Sequence, residues 1–464
     1  MSSPQTTAPS EALAGAQRRT MRVLVASQVL GGVGVGSGIA VVGLLAYELS
    51  GTESLSGVSA TASVLGAAGA AVLIARVSEA RGRRPGLVAG YLVGAVGAVL
   101  AIVAAVAGSF PLHVVASLAF GWASASNLQA RYAATDLAVP ARRGRALSTV
   151  VWATTVGAVL GPNLTGPGEV VADAVGLPPL AGPYLFSLVS FGSAALVQAF
   201  GLRPDPLLLA RQDDAERTVG GTHPPAATPP VPPPDGTAAR EVSSLRGALT
   251  TVREHRAALT ALTAIAAAHA TMVAIMVMTP VHLEHHGASL QIVGLTISLH
   301  IAGMYALSPL VGRLADRVGR RPALAAGLLQ LVAAALLAAF AAPTGSVWFQ
   351  VGLFLLGTGW SFCLVAGSTL LVDATPTDAR TAVQGASDLV MNLAGGAGGI
   401  AAGVVLAVAG YEALALGSLL LLLPPAWLLV TRPRGPDGDH ADASDLARPA
   451  TGPAGLLVDS NPDG

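Results

Sequence analysis

Along this chain, apolar residues run in long blocks separated by short polar ones. Twelve blocks have the length of a bilayer-crossing helix, near residues 21–47, 55–75, 86–107, 111–133, 147–166, 183–202, 257–281, 289–311, 323–341, 346–371, 383–408 and 411–431. About 20 apolar residues suffice for a helix to cross roughly 30 Å of hydrocarbon. In that medium every backbone N–H and C=O must be paired within the structure, which a helix achieves. The pattern predicts an all-α membrane protein of twelve transmembrane helices.

Longer polar stretches divide these blocks. Residues 204–256 contain Pro224, Pro225, Pro229, Pro230 and the run Pro232-Pro233-Pro234 among scattered charges, a composition too poor in apolar surface to build a core. This stretch is expected to be a disordered cytoplasmic linker between one six-helix bundle over 21–203 and a second over 257–432. Residues 1–20 and 433–464 are expected to be cytoplasmic tails, the second disordered. Residues 1–20 lack the plan of a signal peptide.

Composition agrees with the block pattern. Of 464 residues 52% are hydrophobic and only 11% charged, against roughly 25% charged in a soluble domain. The net charge is zero, yet the charges are sorted. All 26 basic residues are arginines, at 18–22, 76–84, 131–145, 203–256, 313–321, 380 and 432–448. With the N-terminus inside, each falls on the cytoplasmic side or at a cytoplasmic helix end. The opposite loops hold Glu53, Glu169, Asp173 and Glu284 but no arginine. This is the positive-inside distribution, and it predicts a multi-pass plasma-membrane protein with both termini cytoplasmic. The one cysteine, Cys363, lies within a span and excludes a disulfide framework.

The polar turns also repeat. Residues 312–322 read Gly-Arg-Leu-Ala-Asp-Arg-Val-Gly-Arg-Arg-Pro, and residues 75–85 read Ala-Arg-Val-Ser-Glu-Ala-Arg-Gly-Arg-Arg-Pro, 237 positions earlier. Asp136 and Asp373 share that offset, as do Arg143 and Arg380. Three features at one offset point to a duplicated half.

These loops resemble the signature loop of the major facilitator superfamily, Gly-x-x-x-Asp-Arg-x-Gly-Arg-Arg, which joins helices two and three. Gly312, Asp316, Arg317, Gly319, Arg320 and Arg321 match it. In the first copy Gly82, Arg83 and Arg84 match, whereas Ala75, Glu79 and Ala80 replace the glycine, the aspartate and the arginine. The resemblance implies two six-helix bundles related by a pseudo-two-fold axis along the membrane normal, rocking about a central site. A glycine at 319 permits a sharp turn. Asp316 is expected to pair with arginines and to sit at the N-terminal end of the following helix. Asp136, Arg143, Asp373 and Arg380 are expected to complete a latch that closes the inner face; static anchoring of the arginines is the plainer alternative. In span five, Gly157, Gly161, Pro162 and Gly166 resemble the Gly-x-x-x-Gly-Pro motif of the superfamily's antiporter branches, which implies close helix contact and a bend. A packing seam would use the same residues. The helix-four arginine of those branches is expected near position 117, where Ser117 stands.

Soft ligands cluster on spans seven and eight. Four of seven methionines fall between 272 and 304, and five of nine histidines between 269 and 300. Met272 and Met276 share a helix face, as do His300 and Met304, each pair being four apart. Thioethers with imidazole suit Cu(I). Met-x-x-x-Met followed by His-x-x-x-Met resembles the copper importers linked to cytochrome oxidase assembly, which implies Met272, Met276, His300 and Met304 as ligands. Proton-relay histidines and plain packing are the alternatives. His282, His285 and His286, at the outer end of span seven, either pre-bind metal or form a wet loop. His269, His300 and Asp388 are the candidate protonation sites within spans, Asp388 being expected near the inner end where water reaches it.

No Gly-x-x-x-x-Gly-Lys is present, so ATP is not expected to drive this chain. Neither enzymatic activity, cofactor nor nucleic-acid partner is expected. The expected partners are the bilayer and a small solute or metal ion, handled by a monomer. The leading expectation is copper uptake into the cytoplasm. Proton-coupled efflux of a small organic compound is the alternative, and a membrane sensor that binds without transporting is the remote one.

Overall fold

The computed structural model describes residues 11–220, 244–288, 290–342 and 346–431. Within them the chain is helical, with no strand. The first half comprises α1 (Glu11–Ser50), α2 (Glu53–Arg81), α3 (Arg83–Ala107), α4 (Phe110–Ala133), α5 (Arg143–Asn163), α6 (Thr165–Ala174) and α7 (Gly182–Gly201). Two shorter helices follow, α8 (Pro206–Gly220) and α9 (Leu245–Glu254). The second half comprises α10 (Arg256–His285), α11 (Leu290–Tyr305), α12 (Ser308–Val318), α13 (Arg320–Phe340), α14 (Val347–Asp373) and α15 (Arg380–Val430).

These helices give twelve spans. Among the described residues, nine helices are long and apolar enough to cross a bilayer alone, and α5 with α6 makes a tenth, bent span. The 51-residue α15 breaks at Gly410, whose φ of 81° a side chain rarely adopts, and so contributes two spans. The last is α4. Its Ser117, Ser124, Ser126, Asn127, Gln129 and Arg131 lower its hydropathy because they face the protein interior. The outer faces carry large exposed apolar side chains, as at Val408 (83% exposed) and Phe340 (71%). Only lipid tolerates such a surface.

Gly82 and Gly319 turn the chain between α2 and α3 and between α12 and α13, with φ of +94° and +98°. The same conformation at the same repeat position is the structural trace of the duplication. Two of the span-five glycines, Gly157 and Gly161, lie at a close seam. A Cβ at Gly157 or Gly161 would strike the backbone of Gly32 or Gly36 on α1, and Ser37 Oγ donates to Gly161 O at 3.3 Å. The helix breaks at Leu164, just after Pro162. Gly166 has open space around it.

Part of the expected linker is ordered, for local reasons. Asp205 accepts from the N–H groups of Leu207 and Leu208 and so caps α8. Ser244 caps α9 through Gly247 N–H at 2.9 Å, and α9 buries Ala248 and Val252 against the second half. The proline run and the tail from 432 onward lie outside the described residues.

Candidate functional site

Between the halves lies a cavity of about 320 Å³. From the first half it takes Gln28, Val35 and Ile39 of α1, Ala67 of α2, the α4 face from Ser124 to Arg131, and Val150, Val151 and Thr154 of α5. From the second it takes His269, Met304, Tyr305, Trp360, Leu364, Met391 and Asn392. One wall is polar and pre-arranged. Gln28 Nε2 donates to Thr154 Oγ1 at 2.8 Å, and Tyr91 Oη donates to Asn127 Oδ1 at 2.7 Å. The facing wall is aromatic. Trp360 packs edge-on against Tyr305 (centroids 5.7 Å apart) and donates Nε1–H to His269 Nδ1 at 3.0 Å. His269 must therefore be unprotonated at Nδ1. Gly395 leaves room for its ring.

At the floor, an ion pair joins the halves. Arg131 Nη2 donates to Asp388 Oδ1 at 2.5 Å, and both side chains are about 1% exposed. Arg131 is held on three further sides: Nε to Ser368 Oγ (3.2 Å), Nη1 to Leu128 O (2.6 Å) and Nη2 to Tyr132 Oη (3.1 Å). Ser368 lies 237 residues after Arg131, so the two repeat-equivalent positions meet each other. Beneath this pair a second one is buried. Arg83 forks onto both Asp136 oxygens at 2.8 and 3.0 Å and donates to Gln384 Oε1 of the second half at 2.7 Å.

The arginine-bearing ends of the halves interlock. Asp316 accepts from Gly144 N–H (3.0 Å) and Arg145 N–H (2.9 Å), at the N-terminus of α5. That helix end carries partial positive charge, which favours a carboxylate there. Asp373 accepts from Arg143 Nη1 (2.6 Å) and Arg320 Nε (3.1 Å), one arginine from each half. Arg320 also reaches Asp316 at 3.2 Å and donates to Pro140 O. Leu147 and Val151 of α5 pack into the second half's core.

Several expected site residues stand elsewhere than the sequence suggested. Asp316 sits on the N-terminus of α5, across the interface, and not on the helix that follows it. Asp388 is fully buried against Arg131 and does not meet water at the inner end. Arg380 donates to Thr375 O at 3.4 Å, whereas its repeat counterpart Arg143 makes the ion pair with Asp373. Of the soft-ligand residues, Met304 and His269 line the cavity. Met272 is buried in the core of the second half and Met276 packs on that core. His300 turns its Nδ1 to Leu353 O of α14 at 2.9 Å. Helix α11 packs on α14 and only grazes α10, so neighbours in sequence are not neighbours in the bundle. His282 stacks on Tyr411 at 4.0 Å. Arg131, Trp360, Tyr305 and Asn127 were not singled out from sequence. A usable signal was there: a cation and an amide inside an apolar span are expensive and mark a site.

Comparison with known proteins agrees with this architecture. The family model described as Major Facilitator Superfamily matches residues 24–289 and 260–459. The chain is 38% identical over 413 residues to the MFS-type transporter YddS of Bacillus subtilis, covering 88% of this chain and 89% of that one. It is 27% identical over 423 residues to the riboflavin transporter RfnT of Brucella anthropi, covering 89% and 98%. Among solved structures, the human organic anion transporter MFSD10 superposes with a TM-score of 0.66 at 19% identity, covering 89% of this chain and 99% of that one. At that identity the likeness shows the fold alone. A family match over most of the chain, a twelve-span duplicated bundle and a cavity walled by both halves lead to one conclusion: this chain belongs to the Major Facilitator Superfamily of membrane transporters.

Proposed function

We propose that this protein carries a small organic solute across the plasma membrane by alternating access, with its arginine-bearing face and both termini in the cytoplasm. The observation that carries the reading is the cavity between the halves, walled by both and closed at its arginine-bearing end by inter-half contacts. With that end cytoplasmic, the described conformation is closed toward the cytoplasm. The cycle turns when the contacts of Asp316 and Asp373 part and the opposite ends close. An aromatic wall of Trp360 and Tyr305 beside amide and hydroxyl groups suits a planar organic solute. The riboflavin transporter among the relatives supports that class. Proton coupling through Asp388 fits its burial at the interface.

The test is a lock. In a Cys363→Ala background, Arg143→Cys and Asp373→Cys are bridged by a short bis-methanethiosulfonate, each cysteine forming a disulfide as methanesulfinate leaves, and solute counterflow is followed in proteoliposomes with riboflavin and other planar solutes. The reading expects counterflow that stops on bridging and returns on reduction. Counterflow that persists through the bridge would remove alternating access.

Copper uptake is the second reading, favoured by Met304 and His269 on the same cavity wall. It requires Met272, Met276 and His300 to turn toward that wall in another state. Copper accumulation in importer-deficient cells that falls with Met272→Ala and His300→Ala would support it; accumulation unchanged from wild type in both variants would discard it.

A further inference from the structure

We propose that the central cavity takes a small organic anion together with one proton, the anion on Arg131 and the proton on Asp388. This rests on the carrier reading and adds the charge class of its solute.

The argument begins with an incomplete pairing. Arg131 is the cation in the cavity lining, and its side chain is buried. Its counter-ion comes from the other half and uses one oxygen only. Asp388 Oδ1 accepts from Nη2, whereas Oδ2 is buried with no hydrogen-bond partner in the described structure. A carboxylate oxygen left bare in a low-dielectric site costs free energy that a purely structural ion pair would avoid by a second donor. The geometry thus holds the pair loosely on the Asp388 side and tightly on the Arg131 side, where Ser368, Leu128 and Tyr132 fix the guanidinium independently of Asp388.

Charge balance supplies the rest. With Asp388 ionised the pair is neutral. An anion entering the cavity would place two negative groups against one guanidinium, which a buried site resists. Protonation at Oδ2 removes the conflict. One proton leaves water and forms an O–H bond at Oδ2. The Nη2–H donor passes from Asp388 Oδ1 to the incoming anion, and no net charge is added. On release the anion departs, the proton returns to water and the original pair re-forms. The charged and titratable groups around Asp388 are few. Helix α4 presents Arg131 and Tyr132, and α3 presents Arg83, already neutralised by Asp136 and bonded to Gln384 on the same helix as Asp388. His269 of α10 lies beyond Arg131 and is occupied by Trp360. Asp388 is thus the acid placed to exchange with an anion at Arg131.

The test uses the purified full-length protein in detergent with two probes of one shape. 1-Naphthalenesulfonate stays ionised throughout the neutral range, and 1-naphthalenesulfonamide is its uncharged isostere. Affinity and proton uptake are measured together as pH is varied. The expected result is preferential sulfonate binding with uptake of about one proton, so that affinity falls about tenfold per pH unit above the titration of the site. Asp388→Asn, a permanent mimic of the protonated acid, should bind sulfonate without proton uptake and without the pH slope. Arg131→Gln should lose sulfonate affinity at least about tenfold while keeping that for sulfonamide, and Arg131→Lys should restore part of it. No sulfonate binding at millimolar concentration, equal binding of both probes, or proton uptake that persists in Asp388→Asn would overturn the proposal. Sulfonamide binding alone would overturn the anion class and leave the carrier reading intact, which stands or falls on the bridged-cysteine lock.

Discussion

The loop at 75–85 and the loop at 312–322 occupy equivalent places in the two halves, yet they grip different things. The second reaches across. Asp316 holds the N-terminus of α5 and Arg320 shares Asp373 with Arg143, all at the partly wet margin of the interface. The first holds mainly its own half, with one bond from Arg83 to Gln384 across the interface. Asp205 accepts from Arg83 N–H and Arg84 N–H at the start of α3, and Arg83 is buried on Asp136. Glu79, standing where Asp316 stands in the second copy, lies near Arg211 and Asp378 instead of capping α15.

The packing beneath the loops diverged with them. Gly312 is needed because a Cβ there would strike Ser148 Oγ and Gly144 O. Its counterpart Ala75 carries that extra atom, and the space comes from Gly385, the counterpart of Ser148. The α12–α5 interface carries Gly312 and Gly144, whereas at the α2–α15 interface Gly385 makes the room, on the opposite partner. Duplication supplied two similar contacts; one became an internal brace with a buried ion pair, the other an inter-half latch near water. A brace should be costly to lose in stability. A latch should be cheap in stability and costly in conformational balance.

Five substitutions test this division, taken from the largest expected effect down, with Glu79→Gln set beside Asp316→Asn as its counterpart. Arg83→Gln leaves Asp136 buried without its cation, a loss of about 3–5 kcal/mol; thermal unfolding in detergent should drop by many degrees. Gly312→Leu forces side-chain atoms into the α5 contact at about 1–3 kcal/mol of overpacking. It should open the arginine-bearing end, read as labelling of a cysteine placed at Ser148, with unfolding little changed. Asp316→Asn keeps the shape and removes the charge from the α5 terminus. It should shift the open–closed balance by about 1 kcal/mol, roughly fivefold, whereas Glu79→Gln should shift it by much less. Asp373→Asn breaks two partly exposed pairs worth about 0.3 kcal/mol each, and its effect should shrink in high salt. Equal behaviour of Asp316→Asn and Glu79→Gln would erase the distinction between brace and latch.

Much of the fold is legible in the sequence. Blocks of apolar residues, arginines on one side and a 237-residue offset suffice for two six-helix bundles, and Gly157 with Gly161 announces a close helix seam. What is not legible depends on which helices touch. The alignment of Met272 and Met276 with His300 and Met304 presumes that α10 and α11 pack together because they are consecutive. In the bundle α11 packs on α14, which draws His300 to Leu353. Asp388 looks wet from its distance to the nearest loop, yet it is buried against Arg131 of the other half. Helices α8 and α9 escaped notice because neighbouring prolines dominate the composition of that stretch, while their caps, Asp205 and Ser244, are single residues.

The central claim is that two rigid halves close one end of the cavity as they open the other. Spin labels at Arg145→Cys and Arg317→Cys report the arginine-bearing end, and labels at Tyr47→Cys and Val281→Cys the opposite end, all exposed positions in a Cys363→Ala background. The account predicts a short distance at the first pair in the unaltered latch, and in Asp316→Asn a second, longer population there matched by a shorter one at Tyr47 and Val281. Distances that lengthen together, or a first pair that stays fixed while the second moves, would contradict it.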